Sequence, residues 1–311
     1  MSNATFNATD IVIDCDPGID DALALLLAAA SSHLNMLAVT TVTGNRPVAL
    51  TAYNARNILD LAHKQNVPVY AGAERSIFDA GSRCNLVHGE DGLGGLDIPS
   101  TGKISAGHAV YHLIRLLSEH QSNSITLIAI GPLTNLALAE LLSPGILLRA
   151  RKILIMGGAL RCAGNITPAA EFNFYADPIA AQIVMQSGAQ IVLFPLDVTS
   201  SAVMSSDWIR SFDHMDSACG KAVTHMLDAY SKLDPLLHDA CPVAYCLDES
   251  LFSGEYCRVE IDCSSEVSAG HCKATFFDSS TDSISTNVHA MIYVNNAALL
   301  PLIHKHICNL P

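Results

Sequence analysis

Ile11-Val12-Ile13-Asp14-Cys15-Asp16-Pro17-Gly18-Ile19-Asp20-Asp21-Ala22-Leu23-Ala24-Leu25-Leu26-Leu27 is the stretch on which the fold turns. A short β-branched run leads into acids, Pro17 and Gly18 break the chain, and a continuous apolar segment follows. The pattern predicts a buried strand over 11–14 and a helix over 20–30. An apolar strand feeding directly into an apolar helix belongs to a sheet covered on both faces. The same alternation continues outward. Strands are expected over 36–42, 67–70, 125–130, 153–156 and 191–194, and helices over 48–63, 105–119, 133–142 and 177–186.

Strands alternating with amphipathic helices make βαβ units. The expected fold is α/β: a single domain over 1–311, with a mostly parallel, Rossmann-like open sheet and helices on both faces. A C-terminal helical and β elaboration follows residue 197, with helices over 206–212, 220–233 and 239–247. Strands over 256–261, 273–277 and 288–294 and a final helix complete it. Ligands of such sheets sit beyond the carboxyl ends of the strands. Residues 72–103 are rich in Gly, Ser and Asp, lack periodicity and are too long for a plain connection, which predicts a flexible active-site loop. Residues 157–175 are irregular as well.

The 311 residues are 50% hydrophobic and 15% charged, which excludes a disordered chain. The net charge of −13 leaves no basic stripe for nucleic acid or an acidic membrane surface. The apolar run 22–30 is far short of the ~20 residues of a membrane span, and residues 1–10 lack the order of a signal peptide. Ten cysteines with no CxxC pair are expected to be reduced thiols, and the compartment is expected to be cytoplasmic.

Asp14, Asp16, Asp20 and Asp21 crowd the strand-to-helix turn. Like charges this close are costly unless a cation lies among them, and carboxylate oxygens suit a hard ion such as Ca²⁺ or Mg²⁺. The alternative is that Asp20 and Asp21 simply favour the helix dipole. An EF-hand is excluded, since no Glu closes a 12-residue loop.

The string from Asp14 to Ala24 resembles the N-terminal signature of the nucleoside hydrolases, the inosine-uridine preferring nucleoside N-ribohydrolase family. Thr43-Gly44-Asn45, the run from His88 to Gly95, Gly131-Pro132-Leu133-Thr134-Asn135, Met156-Gly157-Gly158, the run from Asn165 to Asn173 and His238-Asp239 match in order. The resemblance implies Ca²⁺-dependent hydrolysis of the N-glycosidic bond of ribonucleosides of the inosine, uridine or cytidine type, giving ribose and free base in nucleoside salvage. It implies that Asp16, Asp21, Asp239 and the carbonyl of Ile130 hold the ion and that Asp16 is also the general base. Asp20 and Asn173 would contact the 2′-hydroxyl, Asn165 and Glu171 the 5′-hydroxyl, with Asn45 nearby. His238 would protonate the leaving base, His88 would approach it from the loop, and Met156 and Phe172 would floor the pocket. His225 and Tyr230, before the His-Asp pair, are candidate base contacts. Cys162-Ala163 stands where the family pattern has Arg-Gly, which removes no implied ligand. A homo-oligomer, tetramer or dimer, is also implied.

The alternatives are a pyrimidine-specific ribonucleoside hydrolase and a calcium-dependent nucleoside-binding protein without catalysis. A phosphoryl-transfer enzyme would need a Lys or Arg beside the acids, and residues 11–30 contain none.

Overall fold

The computed structural model describes residues 8–78, 87–96, 98, 102–264, 268–277 and 286–311. Parts of the expected active-site loop (79–86, 97 and 99–101) lie outside them. The first half runs β1 (Thr9–Cys15), α1 (Ile19–Ala30), β2 (Leu34–Thr41), α2 (Val48–Leu61), β3 (Val69–Ala71), α3 (Ala109–Glu119), β4 (Ile125–Ala129), α4 (Thr134–Leu142) and β5 (Lys152–Met156). Next come α5 (Phe172–Ala176), α6 (Pro178–Gln186), β6 (Ile191–Phe194), α7 (Leu196–Thr199), α8 (Ser206–Arg210), α9 (Ala218–Tyr230) and α10 (Ala240–Leu247). β7 (Phe252–Ile261), β8 (Cys272–Phe276), β9 (Val288–Val294) and α11 (Asn296–Ile307) close the chain.

The strands form one sheet in the order β3-β2-β1-β4-β5-β6-β9-β7-β8. Pairing is parallel from β3 through β9, and β7 runs antiparallel to both of its neighbours. The expected C-terminal strands therefore extend the same sheet. The chain passes from β1 outward to β3 and returns to pair β4 on the other side of β1. That reversal is the switch point at which a crevice opens beyond the strand ends.

Two apolar layers sandwich the sheet. One gathers α1, α2, α9, α10 and α11, and the other α3, α4 and α6. α1 is buried from Ile19 to Ala29, which explains why its sequence is apolar all round. Most boundaries fall where the periodicity puts them. α3 starts at Ala109 instead of 105 because Gly107 takes a left-handed φ of 98° and His108 caps the helix, accepting from the Val110 amide at 3.3 Å. α5, which begins at the end of the irregular stretch 157–175, carries too short an apolar period to be read from sequence.

Asn135 at the start of α4 braces the switch point. Its Nδ2 donates to Asp14 Oδ1 (2.8 Å) and to the Thr41 carbonyl (2.9 Å), and its Oδ1 accepts from the Ala73 amide (2.9 Å). A Cβ on Gly72 would collide with that carboxamide, so the chain passes there only as glycine. Replacing Asn135 with Ala strands buried groups on three segments. The expected loss is about 2–4 kcal/mol of unfolding free energy, read from urea midpoints at constant m.

Candidate active site

The turn after β1 is built by its own acids. Asp21 folds back so that Oδ1 accepts from the Asp16 amide (3.1 Å) and Oδ2 from the Gly18 amide (3.0 Å) and Asn45 Nδ2 (3.3 Å). Asp16 Oδ2 accepts from the Asn45 amide at 2.6 Å, while its Oδ1 is buried without a hydrogen-bond partner. Side chains at Gly44 and Gly131 would run into the two oxygens of Asp16. Both glycines are thus the walls of an acid's niche.

Asp239, one residue before α10, joins this turn from far along the chain. Carboxylate oxygens of Asp20, Asp21 and Asp239 all lie within 4.8 Å of one another, and all three residues are buried. Asp20 is thus the third member of the tightest group, with Asp16 set against it. Burial, then repulsion from Asp21, holds Asp16 well above the usual carboxylate range. Burial, then Asp20, Asp21 and Asp16, does the same to Asp239. Burial followed by repulsion from Asp20 raises Asp21 to about 8, and burial raises Asp14 to about 7. Asp20 Oδ1 is a second buried oxygen without a hydrogen-bond partner. Unpartnered oxygens among mutually repelling carboxylates fit a hard divalent cation with oxygen ligands. Asp16, Asp20, Asp21, Asp239 and the Ile130 carbonyl are the residues that could hold it.

A cavity opens beside this cluster, and Asp20, Asn45, Ile130, Asn165, Glu171 and Asn173 are among the residues that line it. Asn173 Nδ2 donates to the carbonyls of Ile130 (3.0 Å) and Met156 (3.2 Å), which fixes the ends of β4 and β5 relative to the cavity. Glu171 caps α5: Oε1 accepts from the Asn173 amide (2.7 Å), Oε2 from Gly158 (2.8 Å) and Phe174 (3.2 Å). Asn165 Oδ1 holds the Phe172 amide at 2.9 Å. The irregular stretch therefore presents a carboxylate and a carboxamide that accept from backbone amides, and a second carboxamide that donates to backbone carbonyls. Met156 and Phe172 line the cavity as apolar neighbours.

The lining is also aromatic and titratable. His88 is buried, its ring stacked on Tyr230 with centroids 5.2 Å apart. Its Nδ1 accepts from the Ile19 amide at 3.2 Å, so Nε2 carries the proton, 3.8 Å from Asp20 Oδ1. Burial lowers its pKa, consistent with the neutral ring. The loop that carries His88 lies down on the turn: Asn54 Nδ2 donates to the Pro17 (3.2 Å) and Asp91 (2.8 Å) carbonyls, and Gly89, Gly92, Gly94 and Gly95 all have positive φ. His225 stands apart from the cavity, exposed on α9 with Nε2 3.2 Å from the Gly94 carbonyl. It touches the loop from outside, whereas Tyr230, one turn later, lines the cavity and donates to Asp20 Oδ2 at 3.4 Å.

His238 lines the cavity with Nδ1 2.8 Å from Thr199 Oγ1 and Nε2 3.3 Å from Asp234 Oδ2. Burial opposes its charge, but Asp234, with Asp20 and Glu171, raises its pKa above the ordinary imidazole value. Asp234, Thr199 and Asn54 are absent from the sequence reading. Only Asp234 had a signal, an acid four residues before the histidine, and that spacing implies contact only where the chain turns as a helix does.

The family model for inosine-uridine preferring nucleoside hydrolases matches residues 11–300. The chain is 34% identical to the inosine-uridine preferring nucleoside hydrolase of Crithidia fasciculata, over 86% of this chain and 87% of that protein. It is 40% identical to a pyrimidine-specific ribonucleoside hydrolase, RihA, of Shewanella sp. (strain MR-4), over 84% of each. A solved purine-preferring ribonucleoside hydrolase from Gardnerella vaginalis superposes with a TM-score of 0.89 at 26% identity, covering 96% of this chain and 98% of that one. A doubly covered sheet with a buried acidic cluster at its switch point is thus a nucleoside hydrolase architecture. The chain belongs to the inosine-uridine preferring nucleoside hydrolase family.

The raised carboxyls set the pH dependence. In metal-free protein Asp14 and Asp21 keep protons that the unfolded chain releases near pH 4, so the unfolded state binds fewer protons and stability falls as pH rises toward their folded values of about 7 and 8. The melting temperature of metal-free protein should drop between pH 5 and 8. Added Ca²⁺ should raise it more at pH 8 than at pH 5, and an ion-insensitive melting temperature at pH 8 would count against a cation site.

Proposed function

We propose that the protein is a Ca²⁺-dependent ribonucleoside N-ribohydrolase of the inosine, uridine and cytidine type, serving nucleoside salvage in the cytoplasm as a homo-oligomer, tetramer or dimer. The observation that carries the reading is the convergence of the Asp20, Asp21 and Asp239 carboxylates beside a cavity that Asn45, Asn165, Glu171 and Asn173 also line. Free thiols at every described cysteine accord with a reducing compartment.

In this reading Asp16, Asp21, Asp239 and the Ile130 carbonyl hold the ion. A bound ion would supply Lewis-acidic positive charge beside the cavity. Asp16 takes the proton of the attacking water on its unpartnered Oδ1. Asp20 and Asn173 bind the 2′-hydroxyl, and Asn165 and Glu171 the 5′-hydroxyl, with Asn45 holding Asp16 and Asp21 in place. Cleavage builds positive charge on the sugar ring, and a ring of carboxylates stabilises it where water is excluded. Met156 and Phe172 pack against the ligand, the stacked His88 and Tyr230 bound the space for the base, and His238 donates the proton that the base needs as it leaves. The names of the relatives divide between inosine-uridine, pyrimidine and purine preference, so the family alone does not choose the base. A cavity with a proton donor at the base end favours bases that are poor leaving groups without protonation.

A reducing-sugar assay over inosine, adenosine, guanosine, uridine and cytidine, with 2′-deoxyuridine as control, tests reaction and preference together. Ribose release that stops with a chelator and returns with Ca²⁺ is expected. Retention of nucleoside without sugar release would instead mark a binding protein. Asp16→Ala should lower kcat by about 10³-fold or more while the variant stays folded, because it removes one of the repelling charges.

A further inference from the structure

His238 is held at both ring nitrogens, and neither partner comes from a metal ligand. Nδ1 meets the hydroxyl of Thr199, a fully buried residue at the end of α7, at 2.8 Å. Nε2 meets the carboxylate of Asp234, which lines the cavity and keeps 27% of its side-chain surface exposed. A carboxylate can only accept, so Nε2 carries a hydrogen on the cavity side. Thr199 can either donate to Nδ1 or accept from it by rotating its hydroxyl, so the ring keeps one orientation in both charge states. Asp234 is itself anchored. Its amide donates to the Tyr230 carbonyl at 2.9 Å, and the next residue, Pro235, accepts from the Met204 amide at 2.8 Å.

We propose that Asp234 and Thr199 are positioning residues that fix the tautomer and the aim of the His238 Nε2–H toward the departing base. The inference rests on the hydrolase reading above. The proton leaves Nε2 for the base nitrogen that takes the electron pair of the broken glycosidic bond. The ring retains Nδ1–H on Thr199 Oγ1 and recovers its proton from water at the open edge of Asp234. At 3.3 Å the Asp234 contact is long for a charged pair, so a base nitrogen can displace it without a large loss. Removing either acceptor frees the ring to turn or to take the wrong tautomer, as carboxamides do when they replace a carboxylate beside histidine.

The test compares the best natural nucleoside of the panel with p-nitrophenyl riboside, whose leaving group needs no protonation. In Asp234→Asn, of unchanged side-chain shape, the ratio of nucleoside to nitrophenyl riboside kcat should fall by about tenfold to a hundredfold, with KM for the nucleoside within about threefold. Thr199→Val should lower the same ratio, and Thr199→Ser, which keeps the hydroxyl, should restore it. An unchanged ratio in both Asp234→Asn and Thr199→Val, whether both substrates slow equally or neither does, overturns the proposal. If wild-type protein releases sugar from neither substrate, the hydrolase reading has failed instead, and the two failures are told apart before any variant is made.

Discussion

Repulsion among buried carboxylates governs this molecule. Asp16, Asp20, Asp21 and Asp239 are removed from water and brought against one another, so each negative charge raises the cost of the next. Such an arrangement persists because the surrounding fold determines it: parallel strands set the turn, glycines at 44 and 131 admit Asp16, and α10 delivers Asp239. A bound cation would convert the same repulsion into affinity, and a sugar cation would meet the same field. The most unfavourable part of the empty fold is then the part with most to gain from a ligand.

Several residues serve the fold and the site together. Asp21 satisfies the amides of the turn and still faces the acidic cluster. Glu171 caps a helix and borders the cavity, and Asn173 clamps two strand ends beside it. Two readings that look like rivals in the sequence, a helix cap or a ligand, are therefore compatible. A carboxylate has two oxygens and about four acceptor directions, enough for both tasks.

The described part of the loop around His88 lies against the turn after β1. Its histidine docks on the first amide of α1, its backbone hangs on Asn54, and its glycines adopt conformations that other residues rarely reach. Leu93 and Ile98 of the same stretch are buried in the apolar layer that holds α1, so its described part is fixed by packing as well as by polar contacts.

Much of this was legible before any coordinates. The apolar runs of β1 and β4–β6 and the caps and breaks around them specify a parallel sheet, because period and burial are local properties of the chain. The acids beside Pro17 and Gly18 marked chemistry by their local crowding, and the Asn165–Asn173 string did so through its resemblance to the nucleoside hydrolase pattern. The position of His225 outside the cavity and the Thr199–His238–Asp234 contact were not legible. Each depends on which face a helix turns inward or on segments that meet only when the layers close. Sequence alone determined the kinds of groups available and the elements that carry them. Tertiary packing decided which of those groups share a few ångströms, since electrostatic and hydrogen-bond chemistry depends on distance through space and not along the chain.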